Sequence, residues 1–312
     1  MRHGELVEKA ASLLRDHGFT TAVNRLSPGF CIDIVAKRDE GPLVIKVLED
    51  LASVGREVLE ELRIVSSWAR ASPLVLAEKM GGEELDDDAV YVRNGVFALS
   101  PGALRRTLEG DPPLVEVSST GCFVYVDGDR VRKKREELGL SVGELARLVG
   151  VSRMTIYSYE HGRKRTTPSV AYRLAFVLGI PVTVPINPLE ARGGRHRRTR
   201  LGLFNEPPLK GLLKAVADVL RRLRMAARAL ARAPFEILAS HDMMKLAVNV
   251  VHCHSYNRGK IKFTRELAGL TELRQLVVRP SGYECPDDVP SVGLEELRNV
   301  RDTSELARLV AS

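Results

Sequence analysis

Gly139-Leu140-Ser141-Val142-Gly143-Glu144-Leu145-Ala146-Arg147-Leu148-Val149-Gly150-Val151-Ser152-Arg153-Met154-Thr155-Ile156 is the stretch from which the rest of the chain is read. Ser141 and Glu144 have the S-x-x-E spacing of a capping box, in which hydroxyl and carboxylate each take an N–H left open at a helix start. The helix they open carries Leu145, Ala146 and Val149 on one face. Gly150 supplies a residue able to take left-handed backbone. Ser152 caps a further helix, Arg153 to His161, which Gly162 stops. Only Val149 to Ser152 lie between the two helix cores. So short a link is the connection of a helix-turn-helix, and Ala146 is small where the helices must approach.

Working outward, Arg132 to Leu138 reads as a preceding helix ended by Gly139. Thr167-Pro168 opens a following one with Ala171, Leu174, Ala175 and Leu178 on one face. Residues 129–185 therefore read as an all-α domain of four to five helices. In this reading Val151 and Ile156 bury against Leu145 and Leu148, so Leu145, Ala146, Val151 and Ile156 form the core of the motif.

Gly139-Leu140-Ser141, Glu144-Leu145-Ala146, Gly150-Val151-Ser152-Arg153, Thr155-Ile156-Tyr157, Tyr159-Glu160-His161-Gly162, Pro168 and Ala171 to Gly179 together resemble the phage-repressor-like (Cro/XRE) helix-turn-helix domains. The resemblance implies that the helix 153–161 docks in a DNA major groove. By position Arg153, Met154 and Ser158 face outward toward base edges, with Arg153 suited to guanine and Met154 to a thymine methyl. Thr155 serves a base or a phosphate. The helix starts at Ser141 and Ser152 offer N–H groups to phosphates. Lys133, Lys134, Arg163, Lys164 and Arg165 add charge beside them. Tyr157 and Tyr159 read as packing residues, and Glu160 as a hydrogen-bonding or ion-pair residue.

Charge supports the same partner. The chain has 312 residues and a net charge of +7. Residues 1–128 carry −7, 129–232 carry +15 and 233–312 carry −1. The excess lies in the middle, the mark of a polyanion binder with flanks that are not. Arg outnumbers Lys 35 to 12, which suits phosphate and base contacts. Residues 186–210 form a basic linker rich in Pro, Gly and Arg. Its Arg195, Arg197, Arg198 and Arg200 read as a solvated run or as an arm along phosphates or into a minor groove. Arg221, Arg222, Arg224, Arg228 and Arg232 read as the wet face of an amphipathic helix. No signal peptide and no apolar run near 18 residues is seen, so the expectation is a cytoplasmic protein with no membrane contact. Cys31, Cys122, Cys253 and Cys285 are scattered and read as reduced thiols. His252-Cys253-His254 with Cys285 is a poor metal set, because in a strand Cys253 faces away from both histidines. No metal and no cofactor is expected.

The flanks have another character. Residues 1–115 read as an α/β domain: a helix ending at Gly18, a hairpin from Phe30 to Leu48, a helix from about Gly55 to Arg70, a strand at Leu74, and a hairpin turning at Asn94-Gly95. A β-hairpin connector follows at 116–128. Residues 211–312 repeat the order. Asp33-Ile34-Val35-Ala36 matches Glu236-Ile237-Leu238-Ala239 at an offset of 203, and Leu74-Val75 matches Leu276-Val277 at 202. The fold class expected is thus α+β and multidomain, with the helical domain between two similar α/β domains, which serve as dimer or effector modules.

Asp33 followed by Val44-Ile45-Lys46 resembles the PD-(D/E)xK arrangement of restriction-endonuclease-like folds, with Glu8 as a further acid. That family holds Mg²⁺ with paired acids to activate water. Here the second acid position is Val44, and the other copy has Glu236, Ala247 and Asn249. The flanks therefore read as degenerate, with no catalytic residue. The whole layout, with the Asp33 strand, Ser72-Pro73-Leu74-Val75 and Ala233-Pro234-Phe235-Glu236, is similar to a family of archaeal helix-turn-helix transcriptional regulators. The expectation is a sequence-specific regulator on double-stranded DNA, not an enzyme, acting as a homodimer on an inverted repeat. The alternatives are a structure-specific nuclease or DNA-repair protein of PD-(D/E)xK type, a bridging coactivator that touches the transcription machinery, and an antitoxin-like protein.

Overall fold

The first helix, α1 (Arg2–Asp16), buries Val7, Ala11 and Leu14 on the stripe that 3.6-residue periodicity requires, and Gly18 behind it takes a φ of 83°. The computed structural model describes residues 2–39, 41–162, 164–190, 209–251, 257–282 and 291–311. They divide into two compact units, 1–75 with 189–312, and 76–188. The first unit thus joins the two ends of the chain.

In the first unit β1 (Thr20–Val23), β2 (Ile34–Arg38) and β3 (Gly41–Asp50) pair antiparallel in that order, with Ile34 opposite Ile45 and Val35 opposite Val44. α2 (Arg56–Trp68) follows, and then β4 (Ser72–Met80), within which the unit boundary falls.

The second unit continues with β5 (Glu83–Glu84), β6 (Ala89–Arg93) and β7 (Val96–Leu99). The β6–β7 turn places Asn94 and Gly95 at φ 49° and 74°, the left-handed pair a tight hairpin needs. Ser100 caps α3 (Pro101–Leu108) by accepting from Ala103 N. β8 (Val115–Ser118) and β9 (Gly121–Val126) form the expected hairpin. Then come α4 (Gly128–Glu137), α5 (Val142–Val149), α6 (Arg153–Glu160), β10 (Lys164–Thr166), α7 (Pro168–Leu178) and β11 (Thr183–Val184).

The central segment is not all-α. β10, between α6 and α7, pairs antiparallel with β9, and β11 pairs with β9 as well. Residues expected to be a mere connector thus supply the strand on which the helices are mounted. The reason is non-local: three residues after Gly162 are too few to announce a strand, and their backbone groups find partners only on β9.

The rest of the first unit is α8 (Gly211–Arg222), β12 (Ala226–Ala229), β13 (Ile237–His241), β14 (Met244–Val250), α9 (Arg258–Leu270), β15 (Arg274–Arg279), β16 (Val292–Gly293), α10 (Leu294–Asn299) and α11 (Thr303–Ala311). The sheet runs β12-β13-β14-β15-β16 in space. This is the order of α1 to β4 repeated, with β16 and α10 following as β7 and α3 do. Leu213, Ala217 and Leu220 of α8 correspond to Val7, Ala11 and Leu14 of α1. The basic residues beyond Arg222 do not continue this helix: Arg224 turns the chain at φ 60° and Arg228 lies in β12.

The two copies are docked by specific bonds. Glu61 of α2, 1% exposed, accepts from the N–H groups of Ala231 at 2.8 Å and Arg232 at 2.7 Å. Cys31 N donates to Arg232 O at 2.6 Å, and Arg70 pairs with Glu272 at 3.2 Å. Gly259 is required where it stands, since a Cβ there would lie 2.6 Å from a methyl carbon of Leu26. Among the described residues no helix is long and apolar enough to cross a membrane.

Candidate nucleic-acid interface

The geometry begins with the caps. Glu144 N donates to Ser141 Oγ at 3.1 Å and Ser141 N donates to Glu144 Oε2 at 2.8 Å, so α5 opens on the full capping box. The Ser141 N–H first, and then its hydroxyl, hold the Glu144 carboxyl below its usual range. Gly150 ends α5 at φ 73° and ψ 41°. Ser152 Oγ accepts from Thr155 N at 3.0 Å and starts α6 two residues later.

The core beneath these helices is Val126, Val131, Leu145, Ala146, Val149, Ile156, Tyr159, Leu174, Leu178 and Val182, with Val151 packed at its edge. Burial of each Val, Leu or Ile among them favours the fold by roughly 1.5–3 kcal/mol. Leu148, expected in this core, is 57% exposed instead. It follows Arg147 on the outer arc of α5, and Val149 fills the inward position.

Polar bonds then lock the helices. Arg135 of α4 meets Glu160 of α6 through two bonds, Nε to Oε1 at 2.6 Å and Nη2 to Oε2 at 2.9 Å. Tyr159 Oη donates to Thr166 Oγ1 at 2.8 Å, joining α6 to β10. Arg173 Nε donates to Val149 O at 2.7 Å and closes an open carbonyl at the end of α5. Gly128 lets α4 approach α6 closely, since a Cβ there would lie 1.9 Å from Tyr159 O.

On the outside, Arg153 and Met154 stand exposed in the first turn of α6, Met154 by 70%. The Arg153 guanidinium makes no hydrogen bond or ion pair with the described residues. Thr155 and Ser158 are half-buried, and the Thr155 hydroxyl lies 2.8 Å from Ser152 Oγ within the cap. Tyr157, expected to pack inward, is 50% exposed and stacks on His161 with centroids 3.9 Å apart.

The first unit holds the other candidate constellation. Asp33 and Lys46 are both about 2% exposed and pair at 3.0 Å. Asp33 Oδ2 also accepts from Val47 N at 2.7 Å, and His3 Nε2 lies 3.4 Å from Asp33 Oδ1. Lys46 Nζ donates further to Pro28 O at 2.7 Å. Val44, at the second acid position, is buried and apolar. Glu8 turns instead to Arg25 at 3.1 Å and Arg15 at 3.7 Å. In the other copy Glu236 pairs with Lys260, and Asn249, in the place of Lys46, donates to Pro234 O at 3.1 Å. A divalent cation does not fit either donor set: one carboxylate remains in each, and its oxygens are already engaged.

Comparison with known proteins matches two stretches of the chain. Residues 131–184 match the family described as helix-turn-helix, and residues 3–113 match the PD-(D/E)XK superfamily domain. Full-length relatives share the name "Putative HTH-type transcriptional regulatory protein". The one from Pyrococcus furiosus is 31% identical over 313 residues, covering 98% of this chain and 96% of the relative. That of Pyrococcus horikoshii is 30% identical over 315 residues, with 99% and 98% covered. That of Halobacterium salinarum is 30% identical over 321 residues, with 100% and 98% covered. The chain belongs to this family.

Within this HTH-type regulatory family member the expected contact residues part ways. Arg153, Met154, Lys133 and the helix starts at Ser141 and Ser152 are exposed in the helix-turn-helix unit. Lys134 is half-buried and pairs with Glu137 at 3.1 Å. Arg165, expected at a phosphate, is half exposed and has a partner within the protein. Its Nη1 donates to the buried Glu116 at 3.0 Å and its guanidinium lies 4.3 Å over the Phe123 ring, so it fastens β10 to the hairpin. Lys164 lies in β10. Arg163, Arg195, Arg197, Arg198 and Arg200, like His252, Cys253, His254 and Cys285, fall outside the described residues. Sequence reasoning missed Tyr172 and Phe176, 72% and 78% exposed and stacked on the outer face of α7. Their spacing of four was the available signal.

Proposed function

We propose that this protein is a sequence-specific DNA-binding transcriptional regulator that reads the major groove with α6. The observation that carries the reading is the first turn of α6. Arg153 and Met154 stand exposed there, on a helix whose other face is fixed by Ile156, Tyr159 and the Arg135–Glu160 pair. A rigidly mounted guanidinium can take a guanine edge through two bonds. One such helix offers few base contacts, so the protein acts as a homodimer on an inverted repeat, with half-site centres about 34 Å or a multiple apart. Selection of bound fragments from genomic DNA at low salt tests this. Recovery of a shared inverted repeat is expected, and failure to enrich any sequence would sink the reading.

The PD-(D/E)xK-like copies are not nucleases in this reading. The loss of the second acid at Val44 and Ala247, with Asp33 and Glu236 each engaged by a lysine, supports a structural role. Incubation with Mg²⁺ or Mn²⁺ and duplex or branched DNA should leave both intact. Cleavage abolished by Asp33→Ala would overturn that part.

A further inference from the structure

The two α/β copies have the same element order and opposite charge. Residues 3–75 hold 9 basic and 11 acidic residues, whereas the corresponding 209–277 hold 13 and 5. The buried stripes of the copies match, so the difference lies on their outer faces. With Val7, Ala11 and Leu14 of α1 matched to Leu213, Ala217 and Leu220 of α8, Glu8 falls on Lys214 and Asp16 on Arg222. With Leu59 and Val65 of α2 matched to Ile261 and Leu267 of α9, Glu60 falls on Lys262.

Lys214 and Arg222 lie on one groove of about 470 Å³, lined also by Ala215, Asp218, Val219 and Arg298. The Arg222 guanidinium is positioned by carbonyls, donating through Nη2 to Arg298 O at 2.7 Å and Val300 O at 3.1 Å. Carbonyls orient it without neutralising it. Arg298 has Glu295 at 2.8 Å, and Asp218 lies 3.9 Å from Arg221. The Lys214 ammonium makes no hydrogen bond or ion pair with the described residues. Lys214, Arg222 and Arg298 therefore face the groove with Asp218 as the one carboxylate of its lining, which leaves the groove positively charged and favours the entry of an anion.

We propose that this groove holds the phosphate backbone of double-stranded DNA, at a site separate from the helix-turn-helix. The inference rests on the DNA-binding reading above. A guanidinium oriented by carbonyls keeps donors free for phosphate oxygens, and the neighbouring ammonium adds a point charge. Contacts of this kind add affinity and carry no sequence information. The C-terminal copy is then a clamp on DNA whose bases are read elsewhere.

The test uses the full chain and compares wild type with Lys214→Gln/Arg222→Gln and with Lys214→Glu/Arg222→Asp, the second restoring the residues of the N-terminal copy. Binding to the selected operator and to a random duplex is measured across salt, and the operator is footprinted. Two lost phosphate contacts should reduce the slope of log K against log salt by roughly 0.9 each. The protected region should shorten while base preference stays. Lys214→Arg/Arg222→Lys should keep slope and footprint. An unchanged slope and footprint in folded Gln and Glu/Asp variants would overturn the clamp. So would an unchanged slope with dissociation of an oligomer, which would make the groove a contact between copies. If Arg153→Ala alters base preference while the groove variants do nothing, the clamp fails and the regulator reading stands; if wild type binds no DNA, both fail.

Discussion

Arg135 and Glu160 are twenty-five positions apart and face each other through two parallel bonds of 2.6 and 2.9 Å, with their side chains 10% and 3% exposed. The pair ties α4, the helix before the motif, to the helix that presents Arg153. Glu160 also holds the Arg135 guanidinium above its ordinary pKa. Removing one partner leaves the other charge buried, whereas replacing both by apolar groups does not. Glu160→Ala should therefore lower the stability of the helix-turn-helix unit by about 3–5 kcal/mol. Arg135→Met/Glu160→Leu should recover most of that loss. Thermal unfolding of the three proteins checks it; a double variant as unstable as the single one would show that the charge itself is needed.

Arg153 stands where α6 starts, without a protein partner among the described residues. Arg153→Ala should cost about 1–3 kcal/mol on the operator and relax preference at one base pair. Competition between operators substituted at each position measures this. Equal losses on operator and random DNA would remove Arg153 as a base reader.

Lys133 is exposed on α4, and its ammonium has no ion-pair partner among the described residues. Lys133→Ala should weaken binding to every sequence alike and reduce the salt slope by about 1. A loss confined to the operator would contradict a phosphate role.

Glu61 joins the two α/β copies through the N–H groups of Ala231 and Arg232. Burial pushes its carboxyl above the usual range, and those N–H groups partly offset the shift. Glu61→Ala leaves both donors without their acceptor and should destabilise the first unit by roughly 1–3 kcal/mol. Urea titration followed by tryptophan fluorescence reads it through Trp68 of α2, and an unchanged midpoint would show the bonds to be replaceable by water.

Tyr125 donates from its hydroxyl to Glu116 at 2.7 Å, and burial first, then that bond, pushes its pKa up to about 12. The phenol is thus protonated more firmly folded than unfolded. Its contribution to stability is complete below the unfolded value near 10 and is lost as pH rises through about 12. Ultraviolet titration should show one late tyrosine that Tyr125→Phe removes. A Tyr125 that ionises with the exposed tyrosines would refute the coupling.

The parts that could be read from the chain are those whose causes lie within a few residues. A capping box needs Ser141 and Glu144 three positions apart, a left-handed turn needs Gly150, and a hairpin needs Asn94-Gly95. Each is a backbone requirement met by neighbours, so helix-turn-helix and hairpins were legible. The duplication was legible too, because matching apolar stripes recur at a nearly constant offset.

Distance hid the rest. Nothing near Lys164 announces β10, whose partner is β9, and nothing near Arg165 says that Glu116, 49 positions earlier, will take its charge. The Glu61 carboxylate reads as an acid on a helix until Ala231, 170 positions later, is brought to it. Sequence alone determined the capped helices and the tight turns, since those follow from neighbouring residues, but not β10 or the outward side of Tyr157. Tertiary structure alone decided which charges remain available. A charged side chain goes to whichever opposite charge or backbone dipole the fold brings within about 3 Å, and that choice paired Asp33 with Lys46 and Arg165 with Glu116, turned Arg222 to two carbonyls, and left the Arg153 and Lys214 side chains exposed.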